Sequence, residues 1–245
     1  MENHTTLIIG ANSGIARALA THIATFETTS KLIVISRNTA FYQQNTFINS
    51  DVIPVSDYQE STIKKVLLQI DEMKDLKIQQ VFICHGVLHN DTLQPEKRLQ
   101  QFTSENLSEL IMSNSIIPML WLKNLVPLVS GSTPCKVVFF SARVGSISDN
   151  KLGGWYSYRA SKAALNMLIK SASIELARSA KNIKLISFHP GTTDTSLSKP
   201  FQKNVPEGKL FTPEFVAIQL KKIVHHSEID GQASFVDWQG ENIPW

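Results

Sequence analysis

IIGANSGIARALA, residues 8–20, joins the end of an apolar, strand-like run to the start of a helical one, with Gly10, Gly14 and Ala16 at the junction. Small residues there let the backbone approach a pyrophosphate and aim the unpaired N–H groups of a helix start at it. Glycines also end strands and open helices for steric reasons, so the spacing by itself leaves a purely structural turn open.

Either way the chain begins strand–turn–helix, and the same alternation continues. Apolar runs of strand length recur at 7–10, 31–36, 51–55, 80–84, 136–141, 183–188 and 233–238. Their continuous apolarity suits strands covered on both faces, as in a parallel sheet. Between them, helical spacing predicts helices over 15–25, 60–73, 102–129 (with a bend at Pro118), 156–180 and 213–225. This order predicts an α/β fold, a Rossmann-like doubly wound sheet of about seven mostly parallel strands with helices on both faces. No repeat, biased tract or linker interrupts it, so residues 1–245 are expected to form one nucleotide-binding domain that includes the substrate site. The segments 145–154 and 192–210 read as surface loops, and loops of that length are more often functional than idle.

Bulk properties narrow the function. The 245 residues are long enough to bury a substantial core. Cys84 and Cys135 lie in strand-like surroundings without metal-type spacing, which predicts two buried, reduced thiols rather than a disulfide framework. No apolar run approaches the roughly 20 residues of a membrane span, and the N-terminus lacks the pattern of a signal peptide; a cytoplasmic protein is expected. A formal charge of +3, with no block of basic residues interleaved with aromatics, argues against a nucleic-acid partner. His85 with His89, and His225 with His226, are the nearest approach to ligand pairs, and neither has acids or cysteines to complete a metal set.

Two further positions carry chemistry. About 20 residues beyond the glycine turn, where an acid would hold the ribose 2′-hydroxyl of NAD, the chain has Ser36 followed by Arg37, which favours a 2′-phosphate and hence NADP(H) over NAD(H). In GGWYSYRASKAALNM, residues 153–167, two tyrosines lie two apart. Tyr158 has Lys162 one helical turn on, whereas Tyr156 has Ala160 there. A neighbouring ammonium favours phenolate, so a lowered phenol pKa and a role in proton exchange are expected for Tyr158.

Taken together, GANSGIA, MSNSIIP, FFSARVGS, the YRASK box and HPGTTDT occur in an order that resembles the short-chain dehydrogenase/reductase family over nearly the whole chain. The wording is most similar to its C-factor-like and sniffer-type carbonyl reductase members. The resemblance implies that Ser141 hydrogen-bonds the substrate oxygen and Tyr158 passes the proton. It also implies that Lys162 lowers the phenol's pKa and binds the nicotinamide ribose, and that Asn114 holds a water linking the lysine to solvent. By the same resemblance Gly10, Ser13, Gly14 and Ile15 would cradle the pyrophosphate, Arg37 the adenosine phosphate, Asp57 the adenine amino group and Gly86 the adenosine ribose. Pro190, Gly191, Thr192 and Thr195 would close over the nicotinamide and diphosphate. Asp57 reads equally well as a helix cap. The implied function is NADP(H)-dependent interconversion of a small-molecule carbonyl and a secondary alcohol. The alternative is a catalytically silent nucleotide-binding regulator or signalling protein. The helices at 102–129 and 156–180 resemble those that pair in family homodimers and homotetramers.

Departures from the family pattern are Ile9 before the first glycine, Ala16 in place of the third, and ICHG (residues 83–86) where NNAG is usual. The interval from Ser141 to Tyr158 is also longer than usual, and the loop is expected to bulge without displacing the tyrosine.

Overall fold

Strand β1 (Thr5–Ile9) shows how the layers are built: Leu7 and Ile9 enter one core cluster and the intervening Ile8 enters the other, the period-two alternation of a strand covered on both faces. The computed structural model describes residues 4–27, 31–45, 47–73 and 76–245. Its strands continue as β2 (Lys31–Ser36), β3 (Ser50–Pro54), β4 (Ile78–Ile83), β5 (Cys135–Phe140), β6 (Ile183–His189), the two-residue β7 (Thr192–Thr193) and β8 (Leu210–Phe211), and β9 (Ser234–Asp237). The helices are α1 (Gly14–Phe26), α2 (Ala40–Gln44), α3 (Glu60–Asp71), α4 (Ser104–Ile111), α5 (Ile117–Val129), α6 (Tyr156–Ser179) and α7 (Pro213–His226).

Seven strands form one sheet in the order β3-β2-β1-β4-β5-β6-β9, with every neighbouring pair parallel. The chain starts in the middle, winds to one edge, then returns past β1 to build the other half. Where the winding reverses, between β1 and β4, the connections leave in opposite directions and a crevice opens at the strands' carboxyl ends. Helices α3, α5 and α6 cover one face through Ile63, Trp121 and Ile169, and α1 and α7 cover the other through Leu19, Ile23 and Leu220. Full burial of side chains of this size contributes about 1.5–3 kcal/mol each before the entropy of ordering is subtracted.

The helix expected over 102–129 is three segments. Between α4 and α5 lies a wide π turn, Met112–Ile116, closed by a bond from the Ile117 N–H to the Met112 carbonyl. The interruption therefore precedes Pro118, which sits in the first turn of α5. An inserted residue, not the proline, offsets the helix, and it buries Asn114 and Ser115. The short α2 has no counterpart in the sequence reading; its Tyr42 is buried and donates to the Ala11 carbonyl at 2.7 Å, tying it to the glycine turn. The 192–210 loop is pinned at both ends by β7 pairing with β8, and the turn Lys199–Asn204 lies between them. Cys84 and Cys135 are buried and free. Among the described residues no helix is long and apolar enough to cross a membrane.

Candidate active site

A groove of about 440 Å³ opens at the crevice. Ser13, Gly14, Ile15, Gly86, Ser141, Tyr158, Lys162, Pro190, Gly191, Thr192 and Thr195, all singled out from sequence, line it. Gly10 is not part of the lining; it has φ +73° and packs against His85, which is, so that a Cβ there would come within 3.2 Å of the His85 ring. A left-handed backbone under a packed imidazole is a position only glycine fills without strain. Ser13 caps α1, its Oγ accepting from the Ala16 N–H at 3.2 Å. The backbone of Gly14 faces Thr195, whose Cγ2 would lie 3.2 Å from an added Cβ. The first turn of α1 and the segment after β6 thus pack closely against each other, and both line the groove.

Arg37 and Asp57 lie outside this lining, at the carboxyl ends of β2 and β3. The Arg37 guanidinium sits 4.9 Å over the Tyr58 ring, and Tyr58 in turn meets His85 edge-on at 4.3 Å. Arg37 is therefore joined to the groove through two rings in edge-on contact. Asp57 serves its own loop: it accepts from the Gln59 N–H at 2.9 Å and from Ser56 Oγ at 3.0 Å. Hydrogen bonds from Thr62 first, and from Gln59, hold its carboxyl below the usual value. These are the contacts of a residue that organises the start of α3.

The proposed reacting groups converge from two elements. Ser141 follows β5, while Tyr158 and Lys162 share a face in the first two turns of α6. Lys162 is buried, with its Nζ donating to the Phe140 carbonyl at 2.8 Å and lying 5.8 Å from the centroid of the Tyr158 ring. Gly145 permits this closeness, since a Cβ there would stand 2.8 Å from the Lys162 backbone. Tyr156 is exposed on the outer side, so only one of the paired tyrosines faces the groove. Asn114 lies behind it, fully buried, with Oδ1 accepting from the Val87 N–H at 2.7 Å. Its Nδ2 donates to the Val87 carbonyl at 2.9 Å and to Ser161 Oγ at 3.0 Å. Both amide protons are committed to clamping the segment after β4 against α6.

The electrostatics differ from expectation. Burial pushes the Tyr158 phenol above its ordinary value, and burial pushes the Lys162 amine down to about 7. Desolvation penalises whichever form is charged, and here it dominates over mutual attraction across 5.8 Å. The lysine-lowered phenol expected from the four-residue spacing is not what this arrangement produces. It produces a protonated tyrosine beside an amine that titrates near neutrality. Two buried imidazoles stay neutral: His85 is lowered to about 3 and His189 to about 4, in each case by desolvation first.

Three features escaped the sequence reading. Leu88, Val144, Leu197 and Phe201 give the groove an apolar side; they join Trp155, already a candidate for the pocket lining from its place beside the YRASK box, whose ring meets Phe201 at 5.1 Å and Tyr158 at 6.1 Å. Glu96, almost wholly buried, holds the start of α6: its carbonyl accepts from the Trp155 N–H at 2.5 Å and its carboxylate from the Ser157 N–H at 3.2 Å and from Ser157 Oγ. Trp155 itself takes a left-handed backbone, φ +51°, to make this entry. Asn166 is the third, and its signal was present, since it continues the four-residue spacing from Tyr158 through Lys162. It is buried among groups from α6, β5 and β6.

Fold and groove together define an α/β protein of the nucleotide-binding, doubly wound class. Residues 4–206 match the family model described as short chain dehydrogenase, and the chain belongs to the short-chain dehydrogenase family of oxidoreductases. A 1-hydroxy-2-glutathionyl-2-methyl-3-butene dehydrogenase of Rhodococcus sp. (strain AD45) is 28% identical over 186 residues, 76% of each chain. The C-signal protein of Myxococcus xanthus is 29% identical over 132 residues, 54% of this chain and 74% of that one. The fold is similar to that of the carbonyl reductase Sniffer of D. melanogaster, with a TM-score of 0.84, 21% identity and all of both chains covered.

Proposed function

We propose that the chain is an NADP(H)-dependent carbonyl reductase that interconverts a ketone or aldehyde with the corresponding alcohol. The observation that carries this reading is the convergence of Ser141, Tyr158 and Lys162 on one groove that the glycine turn at the start of α1 also lines. The buried His85 Nε2, which has no hydrogen-bond partner among the described residues, and the cradle at Gly10 and Gly14 are features that a dinucleotide fits. Gly10, Ser13, Gly14, Ile15, Gly86, Pro190, Gly191, Thr192 and Thr195 would hold it, with Arg37 at the adenosine end.

When bound, the dinucleotide supplies the hydride. The chain's residues manage the oxygen. Ser141 Oγ donates a hydrogen bond to the carbonyl oxygen as negative charge gathers there. Tyr158, held protonated by burial, gives its proton to that oxygen and becomes tyrosinate. Lys162, when charged, stabilises the tyrosinate until solvent returns the proton. The apolar wall of Leu88, Val144, Trp155, Leu197 and Phe201 excludes water and fits the hydrocarbon body of the substrate.

The test is loss of NADPH absorbance with a panel of aliphatic and aromatic ketones and aldehydes. Turnover with an apolar carbonyl is expected. Tight NADPH binding without turnover on any of them would instead favour a nucleotide-binding regulator.

Arg37→Ala tests the cofactor assignment. A guanidinium on a 2′-phosphate is a charge-assisted contact worth about 1.5–3 kcal/mol, so calorimetric NADPH affinity is expected to fall roughly ten- to a hundredfold while NADH affinity barely moves. Equal losses for the two would remove Arg37 from that role.

A further inference from the structure

Asn166 faces the groove's chemistry from behind. Its Oδ1 lies 2.8 Å from Ser141 Oγ and 2.7 Å from Ser187 Oγ, while its Nδ2 is buried without a partner among the described residues. All three side chains are at least nine-tenths buried. In this orientation the two hydroxyls spend their protons on one oxygen and two amide hydrogens are stranded. Ser141 then has no proton left for a substrate. The oxygen and nitrogen of a carboxamide exchange places by a half-turn about Cβ–Cγ. The turned amide gives one hydrogen to each serine oxygen and strands an acceptor instead of two donors. The serine protons are released, and a hydroxyl proton can rotate to a new acceptor where an amide hydrogen cannot.

We propose that Asn166 is a positioning residue for carbonyl reduction: its NH2 group donates to both Ser141 and Ser187, and so turns the Ser141 proton into the groove. The proposal rests on the reductase reading for the use of that proton, but not for the contacts themselves. A hydroxyl that accepts from an amide is also a better donor, because hydrogen bonds in a chain polarise one another. Asn166 therefore both aims and strengthens the group that meets the substrate oxygen. The helix face explains its placement, since one turn separates Tyr158 from Lys162 and one more separates Lys162 from Asn166.

The contacts are tested by NMR on the isotope-labelled full chain. The two side-chain amide hydrogens of Asn166 are expected to exchange slowly with solvent. Ser141→Ala should shift and deprotect one of them and Ser187→Ala the other. An amide pair indifferent to both serine substitutions would overturn the proposal. The function is tested by Asn166→Asp, nearly the same shape but able only to accept when ionised. It should keep NADPH affinity and substrate KM and lower kcat about a hundredfold, as for a lost oxyanion donor. In a Ser141→Ala background the same substitution should cost nothing more; a full additional loss there would equally overturn it. If the unsubstituted chain reduces no carbonyl, the reductase reading fails, and the amide experiment still decides the orientation of Asn166.

Discussion

Tyr158→Phe is expected to lower carbonyl turnover by about three orders of magnitude, within the range attributed to a positioned general acid, and to leave NADPH binding unchanged. The ring is the packing element: it sits in a small apolar cluster with Leu88, Leu93 and Leu110 and against Trp155, contacts that phenylalanine keeps. Only the proton is removed. Tyr156→Phe is the control, because that ring is partly exposed and does not line the groove, and its turnover is expected to match the parent. Turnover and NADPH titrations on the two variants check this. Comparable losses in both, or full activity in Tyr158→Phe, would take the proton-donor role from Tyr158.

Lys162 governs the second large effect. Its amine is pushed down to about 7, so it is charged below that pH and neutral above it. The charged form is the one that steadies tyrosinate, so the rate of reduction should fall as pH rises through about 7. Lys162→Met should erase that limb and cost on the order of a hundredfold on its acid side, the scale of one lost electrostatic contact in a closed site. Stability should move the opposite way. The folded-state value lies below the unfolded one of about 10.4, so between about 7 and that value the unfolded chain binds more protons and stability rises with pH. A variant with no amine to desolvate should be more stable than the parent near neutrality. pH–rate profiles and melting curves separate the cases: a limb that survives Lys162→Met would assign it to another group.

Much of the architecture could be read because it follows from local periodicity. Apolar runs such as KLIVIS suit strands covered on both faces, and that run gives β2 residue for residue. The turn into α1 was legible because its glycines answer to backbone geometry, and so was which of Tyr156 and Tyr158 lines the groove with Lys162, because helix spacing fixes the face they share. What was missed depends on tertiary contacts. The π turn at Met112–Ile116 leaves no compositional mark, since its cause lies in Asn114 and Ser115 reaching across to Ser161. Glu96 sits in a stretch that reads as polar loop, and its burial is decided by Ser157, sixty-one residues on. The direction of the Tyr158 shift was misjudged because spacing reports a neighbour and says nothing of solvent, and desolvation prevails here.

The Glu96 carboxylate has a consequence for redesign. Residues 87–98 carry Leu88 on the groove wall and the anchor for the start of α6, so under the proposed function the wall that would meet the substrate also seats the proposed proton donor. Grafting this segment from a relative is therefore expected to loosen the start of α6, and Tyr158 with it, unless the acid is carried across too. The segment is best moved as one unit, whereas in 145–154 Ile147 and Leu152 stand mostly in solvent and are open to change; Gly145, packed on the Lys162 backbone, is not.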